Sequence, residues 1–402
     1  MEYCKVIIQR NIGLFLFSLF LLLSVILVLQ TLYSSNSFNI TFSQFEYDHE
    51  EEACDLFVGK WIRDFREPIY NNRTCPTLPI VKNCVKHGKD PDYIYWRWKP
   101  DGCDLPRFAP SMFLNIVRGK KLAFIGDSLA RNQMESLLCL LSQVESPLNT
   151  NISTEGKYQT WYFPSHDFTL MVMWTQFLVQ ATQRTVNGTA SDVFDIHLDK
   201  INSEWTNQLP GINFAVISTG NWFIRKTYLH KDDKLLGCTL CSDAKDLGYV
   251  FAIKNALSTT LEFLLSRCKD CEGMMTVLRT YTPSHFEHGS WFSGGNCNRT
   301  QPLSESEVMS FNKNAWRIKE SQVEVFEKIV QRVEREEKMK KEKKKLVLLD
   351  VSKAMMYRAD AHPDSHWQRW HNVNDCLHWC LPGPVDLWNE LLMVILRKHS
   401  RN

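Results

Sequence analysis

The residues best suited to chemistry are one serine and a histidine–aspartate pair about 250 positions downstream. Residues 120–141 read KKLAFIGDSLARNQMESLLCLL, an apolar run that stops at Gly126-Asp127-Ser128 and passes at once into a helical pattern. Glycine permits a sharp turn, and a serine at a helix N-terminus meets free backbone N–H groups and the positive end of the dipole. Ser128 is therefore placed as a nucleophile, although Asp and Ser also begin helices as plain caps. A serine nucleophile needs a base, and the base an orienting group. NDCLHWCLPGP, residues 374–384, offers Asp375 and His378 three apart, on one side of a turn or helix. The alternative is a surface pair in a loop closed by Cys376 and Cys380.

The elements that must position these groups follow from periodicity. KLAFIG, NFAVIST, MTVLRTY and KLVLLDV are continuous apolar runs separated by helical segments, the pattern of a parallel sheet covered on both faces. Met134, Leu137, Leu138 and Leu141 follow helical spacing behind Ser128, as do Trp388, Leu391, Leu392 and Ile395 behind His378. A third helix aligns Phe326, Ile329, Val330 and Val333 and runs into a lysine-rich end, read as a solvated helix terminus. Residues 54–103, rich in Cys, Pro, Trp and Tyr, lack a long helical period and read as irregular structure pinned by disulfides.

Topology sets the compartment. Residues 12–29 are eighteen residues without charge, long enough to span a bilayer, and lack the cleavage site of a signal peptide. Lys5 and Arg10 precede the span and an acidic stretch follows it, so residues 1–11 form a cytosolic tail, 30–52 a stem, and 53–402 the catalytic domain outside the cytosol. Twelve of the thirteen cysteines lie beyond the span, which suits an oxidising lumen. So do glycosylation sequons at Asn39, Asn72, Asn151, Asn187 and Asn298. A net charge of +2 gives no electrostatic case for nucleic acid as a partner.

The ordered set CDLFVGKWI, YIYWRWKPDGCDLPRF, FIGDSLARNQMESLLCLL, LRTYTPSHFEHGSW, GGNC, YRADAHP and DCLHWCLPGPVDLWNELL resembles the trichome birefringence-like proteins of plants, a family of polysaccharide O-acetyltransferases. The resemblance spans almost the whole lumenal chain. It implies a single-pass type II Golgi membrane protein whose catalytic domain is an SGNH-hydrolase-like α/β/α sandwich. It also implies a Ser128-His378-Asp375 triad that moves acetyl groups through an acetyl-serine onto a wall polysaccharide. The wording lies nearest the xyloglucan branch. Xylan or mannan as acceptor, an acetyl esterase of the same fold, and a non-catalytic wall-polymer binding protein are the alternatives.

By the same resemblance, Arg131 and Asn221 complete the oxyanion hole. Asn221 stands where relatives often carry histidine, and Phe292 where asparagine is common. Trp291 and His285 are expected along the acceptor groove, with packing as the alternative, while Arg358, Asp360 and His362 organise the loop leading to the site. The implied disulfides are Cys54–Cys103, Cys75–Cys139, Cys84–Cys380 and Cys297–Cys376. Cys238-x-x-Cys241 and Cys268-x-x-Cys271 have the spacing of a four-thiolate zinc site, but lumenal topology favours disulfides, and no metal is assigned. An acetyl donor is required; acetyl-CoA fits, though no cofactor motif demands it.

Overall fold

The computed structural model describes residues 54–153, 155–311, 313–340, 345–367 and 373–400. The predicted tail, span and stem, with Asn39, lie outside the described residues. Among the described residues no helix is long and apolar enough to cross a membrane.

Thirteen strands are described: β1 (Gly59–Arg63), β2 (Trp96–Pro100), β3 (Lys121–Gly126), β4 (Leu148–Ile152), β5 (Tyr158–Phe163), β6 (Phe168–Trp174), β7 (Val179–Val186), β8 (Thr189–Ile201), β9 (Phe214–Ser218), β10 (Thr227–Lys231), β11 (Lys234–Thr239), β12 (Met275–Arg279) and β13 (Lys345–Leu349). The four runs predicted as strands are β3, β9, β12 and β13. They lie in one seven-stranded sheet of order β13-β12-β9-β3-β6-β5-β4. From β13 to β6 neighbouring strands are parallel, whereas β5 and β4 extend the edge antiparallel, so the sheet is mixed rather than purely parallel. A second, four-stranded sheet, β11-β10-β8-β7, was not foreseen, and β1 pairs with β2 in a two-stranded ribbon.

Alternation along the parallel strands divides the core. Leu122, Phe124, Val216 and Val277 pack on one face, beneath helices α1 (Ser128–Leu141) and α4 (Asp386–Ser400). On the other face, Ala123, Ile125, Ala215 and Ile217 meet Trp205 and Leu264. There Leu278 meets Leu257 and Leu261 of helix α2 (Tyr249–Glu262) and Val325, Ile329 and Val333 of helix α3 (Lys313–Lys340). Helices cover both faces because both faces of these strands are apolar, which gives the expected α/β/α sandwich. The inward stripe of α3 centres on Val325, Ile329 and Val333; Val330 is only half-buried.

Disulfides pin what the sheet does not. Cys75–Cys139, Cys84–Cys380 and Cys297–Cys376 are all formed, and Cys54 and Cys103 are each disulfide-bonded. The two CxxC motifs close separately as Cys238–Cys241 and Cys268–Cys271, which spends the thiols a four-thiolate zinc site would need. Cys297 and Cys376 also lie close to Asp364 as a metal-like trio, but their sulfurs are joined to each other. Asn72, Asn151, Asn187 and Asn298 are all exposed, as glycosylation requires.

Candidate active site

Two neighbouring strands end at the site. Gly126 of β3 pairs with Ser218 of β9, and a Cβ at Gly126 would lie 2.2 Å from Ser218 O, so only glycine lets the strands approach here. The chain then turns at Asp127, whose carboxylate accepts from Leu129 N at 3.0 Å and caps α1. Ser128 is the first residue of that helix and is half-buried, within reach of solvent. Asp127 itself is 2% exposed. Burial raises its carboxyl above the usual range, while the charge of Arg279 opposes the shift. Arg279 stacks 4.2 Å over Trp388 of α4 and is lowered to about 10 by burial.

The second half of the site is a short turn. His378 Nδ1 donates to Asp375 Oδ2 at 2.9 Å, which fixes the tautomer and leaves Nε2 as the basic nitrogen. The amides of Leu377 and His378 donate to Asp375 Oδ1 at 3.1 and 3.0 Å. Burial opposes ionisation of Asp375, but the adjacent His378 and these hydrogen bonds outweigh it and hold the carboxyl well below its usual value. Asp375 is therefore an anion at any working pH, able to stabilise an imidazolium on His378.

Helix α1 joins the two halves. Asn132, one turn beyond Ser128, accepts from Trp379 N at 2.8 Å and donates to Trp379 O at 3.3 Å. This reciprocal amide clamp holds the residue next to His378 against the helix that begins with Ser128. Among the described residues Ser128 Oγ and His378 do not yet share a hydrogen bond, a link that often tightens only with substrate in place. The turn is fastened from three further directions. Cys84–Cys380 and Cys297–Cys376 tie it to distant segments, and Asp364 and Asp375 exchange backbone hydrogen bonds at 2.9 and 3.0 Å.

The remaining predicted residues divide. Asn221 follows β9 on a short 3-10 turn, three residues beyond Ser218, at the same edge of the sheet as Ser128. That edge is where an oxyanion donor is needed. Arg131 lies one turn along α1, and its Nη2 donates to Gly156 O at 2.7 Å, so part of its fork is spent on the hairpin between β4 and β5. Trp291 is 56% exposed and meets Phe292 edge-on at 5.5 Å, in a loop that Asn374 ties down through a 2.9 Å bond to Gly295 O. This places exposed aromatic surface beside the Asp375–His378 turn.

His285 does not line a groove. It is 1% exposed, bonded to His362 and to Met356 O, and stacked on Phe311, so no polymer can reach it. Arg358 and Asp360 form a fully buried ion pair, with Arg358 Nη2 also donating to Tyr93 O at 2.6 Å. Together with His362, which bonds His378 O, they organise the loop as expected. Sequence reading passed over Asn132; a carboxamide on the buried face of an apolar helix was its signal. It also passed over Trp174 at the end of β6 and Trp222 just beyond β9, half-buried and edge-to-face at 5.8 Å.

Residues 105–395 match the GDSL/SGNH-like Acyl-Esterase family found in Pmr5 and Cas1p, and residues 52–104 match the PMR5 N terminal Domain. Xyloglucan O-acetyltransferase 3 of Populus trichocarpa is 47% identical over 356 residues, which cover 87% of this chain and 87% of the relative. The xyloglucan O-acetyltransferase 2 of Arabidopsis thaliana is 44% identical over 355 residues, covering 87% of this chain and 84% of the relative. Protein trichome birefringence-like 24 of Arabidopsis thaliana is 39% identical over 361 residues, covering 86% and 82%.

Proposed function

As the chain belongs to the GDSL/SGNH-like acyl-esterase family found in Pmr5 and Cas1p, we propose that it transfers acetyl groups to hydroxyls of xyloglucan through an acetyl-serine. The observation that carries the catalytic reading is the Asp375–His378 dyad, clamped by Asn132 to the helix that Ser128 begins. The acceptor rests on relatives of 44–47% identity named as xyloglucan O-acetyltransferases.

In this mechanism His378 Nε2 takes the Ser128 proton as Oγ attacks the carbonyl carbon of the acetyl donor. The tetrahedral oxyanion is held by backbone N–H at the start of α1 and by Asn221, with Arg131 as a further donor; one such contact is worth about 3–4 kcal/mol. Collapse breaks the bond to the leaving group, which takes the proton from His378. A sugar hydroxyl then gives its proton to His378 and attacks the acetyl-serine, and Ser128 leaves reprotonated. Acetyl-CoA is a fitting donor. The disulfides suit the oxidising lumen of the Golgi, where residues 12–29 would anchor the chain with its catalytic domain inside.

The family description names esterases, so hydrolysis is the reading to separate from transfer. The purified lumenal domain is incubated with an acetyl donor and xyloglucan oligosaccharide, and acetylated glycan and free acetate are both measured. Acetylated glycan in excess, lost in Ser128→Ala, is the expected result. Free acetate alone makes the protein an esterase, and transfer by Ser128→Ala removes the nucleophile assignment.

A further inference from the structure

Behind His378 lies a pair of histidines that the triad does not use. His362 Nδ1 bonds His378 O at 2.6 Å, His362 Nε2 faces His285 Nδ1 at 2.7 Å, and His285 Nε2 bonds Met356 O at 3.0 Å. The two rings are 0% and 1% exposed, so water cannot substitute for any of the three partners.

Counting hydrogens gives the consequence. Both ends of this chain are carbonyl oxygens, which only accept, so both outer ring nitrogens must carry hydrogen. The central contact needs a third. Two neutral imidazoles have two between them, and a complete chain therefore holds one net positive charge. Without that proton, two lone pairs face each other at 2.7 Å, or an end bond is given up.

We propose that His285 and His362 share one proton, and that this charged pair is a positioning device which holds the His378 backbone while His378 itself acts as base. The inference rests on the reading of His378 as the catalytic base. Aromatic faces favour the charge: Trp379 stacks on His362 at 4.0 Å and Phe311 on His285 at 4.8 Å. The anionic Asp375 favours it as well, whereas Arg299 and Lys89 repel it. Arg358 and Asp360, close by in sequence, neutralise each other, and Asp364 faces Lys89. Burial works against the charge, pushing His285 down to about 4 and His362 well below the imidazole range. The proton nevertheless belongs to the pair and not to either ring, because one proton completes both the central bond and the chain.

The sign follows. The pair is charged at low pH; as pH rises it loses its proton and with it one of its three hydrogen bonds, which loosens the hold on His378 O, whereas His378 must be neutral to act as base. Activity should therefore rise and then fall with pH, the fall belonging to the buried pair. His285→Gln supplies two N–H groups, one for Met356 O and one for His362 Nε2, and so closes the chain without a charge.

The test uses the lumenal protein labelled with 15N-histidine. Ring nitrogen shifts are read against pH, together with kcat and KM for hydrolysis of a small acetyl ester, which needs no polysaccharide. One shared proton at the pH of maximal kcat, and an alkaline limb that flattens in His285→Gln, are expected. His362→Phe, which keeps the ring stack but removes the bond, should lower kcat about tenfold up to the optimum, the worth of one buried hydrogen bond, and by progressively less along the alkaline limb, with little change in KM. Two neutral rings at the optimum, or an unaltered alkaline limb in His285→Gln, overturn the proposal. Failure of acetyl transfer to xyloglucan would instead count against the proposed function, because neither readout here uses that acceptor.

Discussion

The two halves of the site are held by different kinds of structure. Ser128 stands at the junction of a central strand and a helix, both anchored in the main core by Leu122, Phe124, Leu137 and Leu138. His378 stands on a turn without regular structure, held by two disulfides, the backbone exchange with Asp364 and the buried His362. The nucleophile inherits its position from the fold, while the base has to be fastened by individual links. The Ser128 half should therefore fail with the fold, and the His378 half should fail link by link while the fold persists.

The sharpest perturbation addresses the chemistry of both halves at once. Ser128→Ala and His378→Ala should each lower kcat by about 10⁴ or more, and the double variant should be no worse than either. Circular dichroism and melting temperature should stay close to the parent. If the two losses multiply instead, the halves act independently and no triad exists.

Removing a fastening comes next. Cys297→Ala with Cys376→Ala opens a bridge across 79 residues, and such a bridge is typically worth about 2–4 kcal/mol. Because it holds the His378 turn, kcat should fall at temperatures where the sheet is still folded by circular dichroism. Opening Cys268–Cys271, whose cysteines are three residues apart and packed on the opposite face of the sheet, should leave kcat untouched. A loss of kcat in both variants would mean that disulfides act on global stability alone.

Asn132→Ala cuts the clamp between the halves. Two hydrogen bonds to Trp379 are lost, and its N–H and C=O are left buried without them, which costs roughly 1–3 kcal/mol. The expected kinetic signature is a kcat about 10–100-fold lower with KM little changed, since misplacement by about 1 Å carries such a cost. A variant that melts earlier yet keeps full kcat would show that the sheet positions both halves unaided.

This contrast also explains what the sequence made legible. β3, β9, β12 and β13 announce themselves because strands buried on both faces are continuous apolar runs, and GDS marks where the first of them turns. The sheet formed by β7, β8, β10 and β11 was overlooked because none of its strands is a continuous apolar run: buried residues alternate with half-exposed polar ones along β8, and β7 is mostly polar. Its cues were Asn187-Gly188, a two-residue hairpin turn with both residues at positive φ, and the alternation of Phe194, Ile196 and Leu198 with polar residues behind it. The DxxH motif was visible, but its supports were not: Asn132 and Asp364 are distant in sequence, and their roles depend on packing. His285 was misplaced for the same reason. The resemblance put it with Trp291 along the acceptor groove, yet one side chain turns inward to His362 and the other outward.

The smallest effect tests whether the Ser128 half has a weakness of its own. Helix α4 packs against α1 through Asp386, which accepts from Ser136 Oγ at 2.6 Å, and against the segment leading to β3 through Glu390, which accepts from Phe108 N at 3.3 Å. Burial raises Asp386 to about 6 and Glu390 to about 7. For a raised carboxyl the folded chain keeps protons that the unfolded chain has released, so stability falls as pH rises from about 4 to about 7. Asp375 has the opposite sign: its depressed carboxyl stabilises the fold above about 4, and that contribution is lost only in strong acid. Between pH 4 and 7 the pH dependence from these three carboxyls thus lies on the Ser128 side. Glu390→Gln keeps an oxygen for Phe108 N and cannot ionise. Its melting temperature should match the parent near pH 4 and exceed it by a few degrees near pH 8, with the difference opening through neutrality. A constant offset at all pH values would mean that Glu390 is already ionised in the fold, and that this side of α4 carries no trapped proton.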